Sequence, residues 1–134
     1  MMTPLARSIP FRLAVSLALT VAMAWLSLVP GYPDEDDPAL VVAVGTVPAL
    51  VQNTMHLVLY AALTLLWAAT LVRSVTRPAH WAAVLVFLYG GALEVAQILV
   101  PGRYPSLLDI VLNGTGVVLG AALATALIAR VRPA

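Results

Sequence analysis

Ionisable and amide side chains occur inside three long apolar stretches of the chain, where a polar group is costly and needs a physical reason. They are His56 and Tyr60, Glu94 and Gln97, and Asp109 and Asn113. A carboxyl group held away from water suits a general acid or base, and a nearby histidine can relay a proton. We therefore take Glu94 as the first catalytic candidate, with His56 and Asp109 as its helpers.

A structural role is the competing interpretation for each of these side chains. A buried glutamate can lock helices together, and amide bonds between helices are common in membrane proteins. Gln97 and Asn113 therefore either bind a head group or only satisfy neighbouring polar groups. For His56, a hydrogen bond to Glu94 or Asp109 is favoured over a metal site. The sequence thus predicts neither a metal nor a cofactor.

Arg103 is the cation nearest to these groups in the sequence, in the turn Pro-Gly-Arg-Tyr-Pro at 101–105. Its planar guanidinium matches phosphate oxygens, which makes it a candidate for holding an anionic head group. The alternative is a pair between Arg103 and Asp109, which would suit a structural role as well as a functional one. Tyr60 joins Gln97 and Asn113 as a ligand-binding candidate, although a tyrosine also suits the membrane interface.

Composition places these residues in a membrane protein. Of 134 residues, 62% are hydrophobic and only 10% are charged, whereas a soluble domain carries roughly 25% charged residues. The net charge of +1 gives no argument for a nucleic-acid partner. The absence of cysteine excludes disulfides and thiolate chemistry. The length, 1–134, allows one domain.

The apolar stretches predict an all-α bundle of four transmembrane helices, because each is near the roughly 20 residues that a crossing requires. The predicted spans are Phe11–Val29, Leu50–Val72, Trp81–Val100 and Leu107–Ala129. The first also resembles a signal peptide, with Ala22-Met23-Ala24 as a cleavage site. Because its apolar run continues to Val29, we favour a retained helix.

Charge predicts how the bundle sits in the membrane. One end collects six arginines and the other has Arg103 alone, so the arginine-rich end, with both termini, is predicted to be cytoplasmic. The six are Arg7, Arg12, Arg73, Arg77, Arg130 and Arg132. The acidic run 34–37 then lies outside as a solvated loop, because four adjacent acids cannot enter hydrocarbon. A calcium site is disfavoured there, because the run lacks the ligand spacing of a calcium hand. The apolar segment 39–47 is too short to span and is predicted either to be interfacial or to pack on the outer end of the bundle.

Spacing and depth together predict that the polar residues meet. His56 and Tyr60 are four residues apart, so they share one helix face. A second stripe is Gly90, Glu94, Gln97 and Pro101, and a third is Asp109, Asn113, Gly116 and Gly120. At 1.5 Å per residue, His56, Glu94 and Asn113 each lie about 9 Å below the outer surface. Gly116 and Gly120 also form a pattern that permits close helix packing.

The segment from Gly90 resembles the VanZ-like family, whose core has Glu, Gln, Pro-x-Arg, Asp, Asn and two glycines. The matching residues are Glu94, Gln97, Pro101, Arg103, Asp109, Asn113, Gly116 and Gly120. Upstream, His56 and Tyr60 also match, whereas Gln52 and Asn53 stand where the family usually has Asp and Lys. The resemblance covers about 52–120 and implies a multi-pass protein of the bacterial cell membrane. The family is named after a member linked to resistance to teicoplanin, a glycopeptide antibiotic.

These observations support two functional hypotheses. The leading one is an envelope protein whose outer polar pocket engages a membrane lipid or lipid-linked molecule, with or without catalysis. The alternative is a non-catalytic modulator of envelope enzymes, in which the polar residues hold the helices together. It would act as a homo-oligomer or with an envelope protein partner. A transporter is disfavoured, because the cytoplasmic halves look apolar apart from Thr64 and Thr125.

Overall fold

In a computed structural model, which describes residues 4–131, the chain forms α-helices and one short 3-10 turn, without strands. The five helices are α1 (Pro4–Ser27), α2 (Ala39–Gly45), α3 (Ala49–Leu71), α4 (Pro78–Ala96) and α5 (Leu107–Val131). The 3-10 turn Gln97–Leu99 extends α4. The side chain of Arg7 and all of Arg132, both used to predict orientation, lie outside the described part of the structure.

Four of the helices are long and apolar enough to cross a membrane, which confirms the predicted bundle. The candidate spans are Ile9–Ser27, Ala49–Leu71, Pro78–Leu99 and Leu107–Arg130. The segment predicted to be too short forms the seven-residue helix α2. Prolines set several helix starts: Pro38 and Pro48 directly precede α2 and α3, and Pro78 is the first residue of α4. Proline suits these positions because the first helical N–H groups lack partners in the helix anyway.

Helices α3 and α5 make the closest packing in the bundle, through the two glycines predicted to allow it. A Cβ placed on Gly116 would lie 2.4 Å from the carbonyl oxygen of Leu57, and one on Gly120 would lie 2.4 Å from that of Ala61. Only glycine permits two helix backbones to approach this closely. The face of α5 that bears the polar stripe therefore lies directly against α3.

Helix α1 is attached to α3 by polar side chains near the arginine-rich end. The hydroxyls of Ser16 and Thr70 are 3.1 Å apart, and the Trp67 indole N–H donates to the Thr20 hydroxyl at 3.2 Å. Arg12 donates to the Ala69 carbonyl at 3.2 Å. The prediction that the helix halves near the arginine-rich end are apolar apart from Thr64 and Thr125 was therefore wrong. The hydroxyls and the indole pair within the protein, which makes them helix-packing groups.

The cysteine-free sequence makes the predicted orientation easy to test. We expect Glu35→Cys, in the acidic loop, to react with a membrane-impermeant maleimide on intact cells, because this loop is predicted to lie outside. We expect Thr76→Cys, between α3 and α4, to react only after the membrane is opened. Both positions are exposed, so access to the reagent decides the result. The reverse labelling pattern would show that the termini lie outside.

Candidate functional site

Two proline-glycine turns dock on each other at the end of the bundle that carries residues 34–37, here called the acidic-loop end. The Gly31 N–H donates to the Pro101 carbonyl at 3.1 Å. A Cβ on Gly31 would collide with the Gly102 carbonyl, and Gly102 itself has a φ of +72°, a conformation that favours glycine. The docked turns fix the position of Arg103, whose Nε–H donates to the Val29 carbonyl at 2.8 Å.

A cavity of about 100 Å³ lies beside these turns, between α1, α2 and α3. Its polar lining residues are Ser27, Gln52, His56, Tyr60, Gln97 and Arg103. Its apolar lining residues are Met23, Leu26, Val44, Val47, Met55 and Leu59. Among the lining residues Arg103 is the one that carries a full positive charge, and none is an acid. The wall of this cavity is therefore suited to an anion with an apolar part attached.

His56 and Tyr60 present adjacent rings to this cavity, as their four-residue spacing predicted. The rings are nearly parallel, with centroids 6.2 Å apart and 5° between their planes. Tyr60 is buried against Gly90, because a Cβ on Gly90 would lie 2.7 Å from Cε1 of the tyrosine ring. Gly90 thus serves helix packing by making room for an aromatic side chain of α3.

The hydrogen bond of His56 links the cavity to α5. Its Nδ1 lies 2.8 Å from Oδ1 of Asn113, so its partner is an amide. The predicted bond from His56 to Glu94 or Asp109 was therefore wrong. Asn113 is 2% exposed, and its Nδ2 has no hydrogen-bond partner within the described residues. With Oδ1 of Asn113 as the acceptor, Nδ1 of His56 is the donor of this hydrogen bond.

Glu94 lies behind the cavity and connects α4 to the start of α5. Its Oε2 accepts the backbone N–H of Ser106 at 3.1 Å, and the Ser106 hydroxyl accepts the N–H of Asp109 at 3.3 Å. Ser106 therefore caps α5, and an acid at the position of Asp109 commonly accepts the N–H of such a cap. Here Glu94 replaces it from another helix, an arrangement that the sequence analysis did not anticipate.

The predicted site residues thus fall into two groups. His56, Tyr60, Gln97 and Arg103 line the cavity, whereas Glu94, Asp109 and Asn113 lie outside its lining. Arg103 and Asp109, both within the described chain, do not form an ion pair. Gln97 also ties α4 to α1, because its Nε2 donates to the Ser27 carbonyl at 3.1 Å. Which of these residues take part in function stays a prediction.

Sequence reasoning missed two polar residues of the cavity lining. Gln52 precedes His56 by four residues and so shares its helix face, which is the signal that would have found it. Its Nε2 donates to the Val47 carbonyl at 2.8 Å and ties α3 to the segment after α2. Ser27 carried no such signal, because it contributes through α1, whose rotation relative to α3 is not encoded in local spacing.

The fold and these contacts define a small multi-pass membrane protein with a polar network between its helices. The chain belongs to the VanZ/LLP1 family, whose family model matches residues 4–129, nearly the whole chain. This match extends well beyond the 52–120 segment that carries the motif and includes α1. No curated protein and no solved structure matches the chain.

Proposed function

We propose that this chain is a VanZ-type protein of the bacterial cell envelope that binds a lipid-linked or amphiphilic envelope molecule with an anionic head group. The cavity at the acidic-loop end would receive the head group, at the outer side of the cell membrane. Because the family takes its name from a teicoplanin-resistance protein, we include a contribution to glycopeptide resistance in the proposal.

The position of Arg103 is the observation that carries this proposal. Its Nε–H is used by the Val29 carbonyl, and its two terminal amino groups make no hydrogen bond within the described residues. A guanidinium fixed by one bond retains donors that suit phosphate or carboxylate oxygens. The carboxylates of Glu94 and Asp109 are outside the cavity lining, so no acidic side chain forms part of its wall.

A second candidate function, as a non-catalytic modulator of envelope enzymes, is supported by the bonds of Glu94 and Gln97. Both are nearly fully buried, at 3% and 4% exposure, and each binds a backbone group of another segment. Side chains that join helices in this way need no ligand. The two functions differ in whether the purified protein alone binds an amphiphile.

We expect Arg103→Ala to weaken binding of dodecyl phosphate at least about tenfold, because a hydrogen bond to a charged group contributes about 1.5–3 kcal/mol. Binding to the purified protein in a neutral detergent is measured by isothermal calorimetry, with dodecanol as the uncharged comparison. Arg103→Lys keeps the charge but loses the planar guanidinium, so its affinity for dodecyl phosphate should lie between those of the unchanged protein and Arg103→Ala.

Arg73→Ala is the matched control, because Arg73 is exposed at the arginine-rich end and far from the cavity in the fold. It should bind dodecyl phosphate like the unchanged protein. Equal binding of dodecyl phosphate and dodecanol, unaffected by Arg103→Ala, would reject the anionic head group. Absence of any binding would favour the modulator function, which crosslinking to neighbouring proteins in cells would then examine.

A further inference from the structure

A second concavity lies on the side of α3 next to the cavity. It is a groove of about 390 Å³ lined by one helix, and its lining residues are Leu50, Val51, Thr54, Met55, Val58 and Leu59. Met55 and Leu59 line the cavity as well, so the two spaces lie on either side of these two side chains. The two residues are four positions apart and lie one above the other on one face of α3.

The groove and the cavity differ sharply in polarity. Five of the six groove residues are apolar, and the hydroxyl of Thr54 is occupied by a 2.9 Å bond to the Leu50 carbonyl. The cavity holds Arg103 and the side chains of His56 and Gln97. The lining therefore changes from one that holds a guanidinium to one that is almost entirely apolar on the other side of Met55 and Leu59.

We infer that the groove holds the hydrocarbon chain of an anionic amphiphile whose head group binds Arg103 in the cavity. This inference rests on the proposed function and assigns the ligand's two parts to two sites. Charge complementarity places the anion at Arg103, and a molecule that passes over the side chains of Met55 and Leu59 would occupy both spaces. The ligand class is thus a lipid-like phosphate with at least one extended chain.

The position of the groove explains how such a ligand would enter. From Leu50 to Leu59 it follows α3 for about 13 Å at 1.5 Å per residue. Since α3 spans Ala49–Leu71, this stretch occupies the half of the membrane nearest the acidic-loop end. A chain already lying in that leaflet enters from the side, and its head group moves under Val44 and Val47, which line the cavity beside α2.

Photocrosslinking of the full chain in phosphatidylcholine nanodiscs tests this assignment. The probe is hexadecyl phosphate with a diazirine in the middle of its chain, and the comparison is hexadecanol with the same diazirine. We expect the phosphate to label residues 50–59 about tenfold more than the alcohol does, because only the phosphate is held at Arg103. Excess unlabelled hexadecyl phosphate should suppress this labelling.

A substitution that fills the groove provides a second test in the same photocrosslinking experiment. Val58 is 55% exposed and lines the groove without lining the cavity, so Val58→Trp should reduce labelling of 50–59 by hexadecyl phosphate about fivefold. Binding of butyl phosphate, whose chain is too short to follow the groove, should be unchanged. The matched control is Leu88→Trp on α4, because Leu88 is 66% exposed and lines neither space.

Four results would overturn the inference, and together they separate it from the proposed function. Labelling spread evenly over all four long helices would remove the groove as the chain's site. Equal effects of Val58→Trp and Leu88→Trp would do the same, with butyl phosphate binding still supporting the head-group site. Equal labelling by both probes would show that Arg103 does not hold the head group. If neither butyl nor hexadecyl phosphate binds the unchanged protein, both the inference and the proposed function fail.

Discussion

Gly116→Leu is expected to prevent the bundle from assembling, which is the largest effect of any single substitution considered. The Cβ that any other residue adds at this position would lie 2.4 Å from the Leu57 carbonyl oxygen and 3.1 Å from Cβ of Tyr60. Both contacts involve rigid parts of α3, so relief requires α5 to move away. Overpacking that backbone must absorb costs at least about 1–3 kcal/mol, and here the whole α3–α5 contact is at stake.

The consequences of such a movement would extend to the site. Separating α5 from α3 breaks the bond between His56 and Asn113. We therefore expect Gly116→Leu to reduce both the yield of monodisperse protein in detergent and its resistance to unfolding by dodecyl sulfate. Size-exclusion chromatography and helicity during a detergent titration measure these two quantities.

Gly91→Leu is the matched control, because it makes the same chemical change on a transmembrane helix. A Cβ on Gly91 meets no other atom within 4 Å, so a leucine there has open space. Replacing a helical glycine also raises helix propensity by about 1 kcal/mol. Gly91→Leu should therefore fold at least as well as the unchanged chain. Equal behaviour of the two variants would show that Gly116 is not a packing contact.

The four spans were predictable because their signal is local. A run of about 20 apolar residues has few structural alternatives, since backbone polar groups in hydrocarbon must bond within the helix. The buried faces were predictable for the same reason, because 3.6-residue periodicity assigns Glu94, Gln97 and Asn113 to one side of their helices. All three are indeed buried.

The partners of those side chains were not predictable from spacing. Periodicity says which residues share a face, but it does not set the rotation of one helix against another. His56 was expected to meet a carboxylate, and it bonds to Asn113 because the close approach at Gly116 and Gly120 brings α5 against α3. The bond from Glu94 to Ser106 depends equally on tertiary packing, because it joins α4 to the first turn of α5.

The attachment of α1 was the other feature that local reasoning missed. Ser16 and Thr20 are four residues apart and mark a polar face on α1, but hydroxyls are tolerated in membrane helices and so carry a weak signal. In the structure Ser16 is fully buried and Met23 lies in the main core, so α1 is packed as part of the bundle. Its end also supplies Met23, Leu26 and Ser27 to the cavity lining.

Substitutions of Glu94 are expected to separate a structural role of its carboxyl group from a chemical one. Glu94→Gln keeps an oxygen that can accept the Ser106 N–H, so the variant should fold and bind dodecyl phosphate within about twofold of the unchanged chain. Glu94→Leu removes the acceptor and leaves that N–H unsatisfied, which should cost about 1–3 kcal/mol of stability. Unfolding by dodecyl sulfate and calorimetry measure the two outcomes.

Survival of cells in teicoplanin tests whether variants that fold and bind normally have also kept their function. If the unchanged chain protects a sensitive host from teicoplanin, as proposed, and Glu94 only joins α4 to the cap of α5, Glu94→Gln should protect that host equally well. A variant that folds and binds but no longer protects would instead show that the ionisable carboxyl takes part in a reaction, because the amide cannot exchange a proton as an acid or base. Asp109→Asn is the matched control, since the side chain of Asp109 makes no hydrogen bond within the described residues. A loss of protection in both variants would point to a pair of carboxyls acting together, and a loss in Glu94→Gln alone would make Glu94 the acid or base.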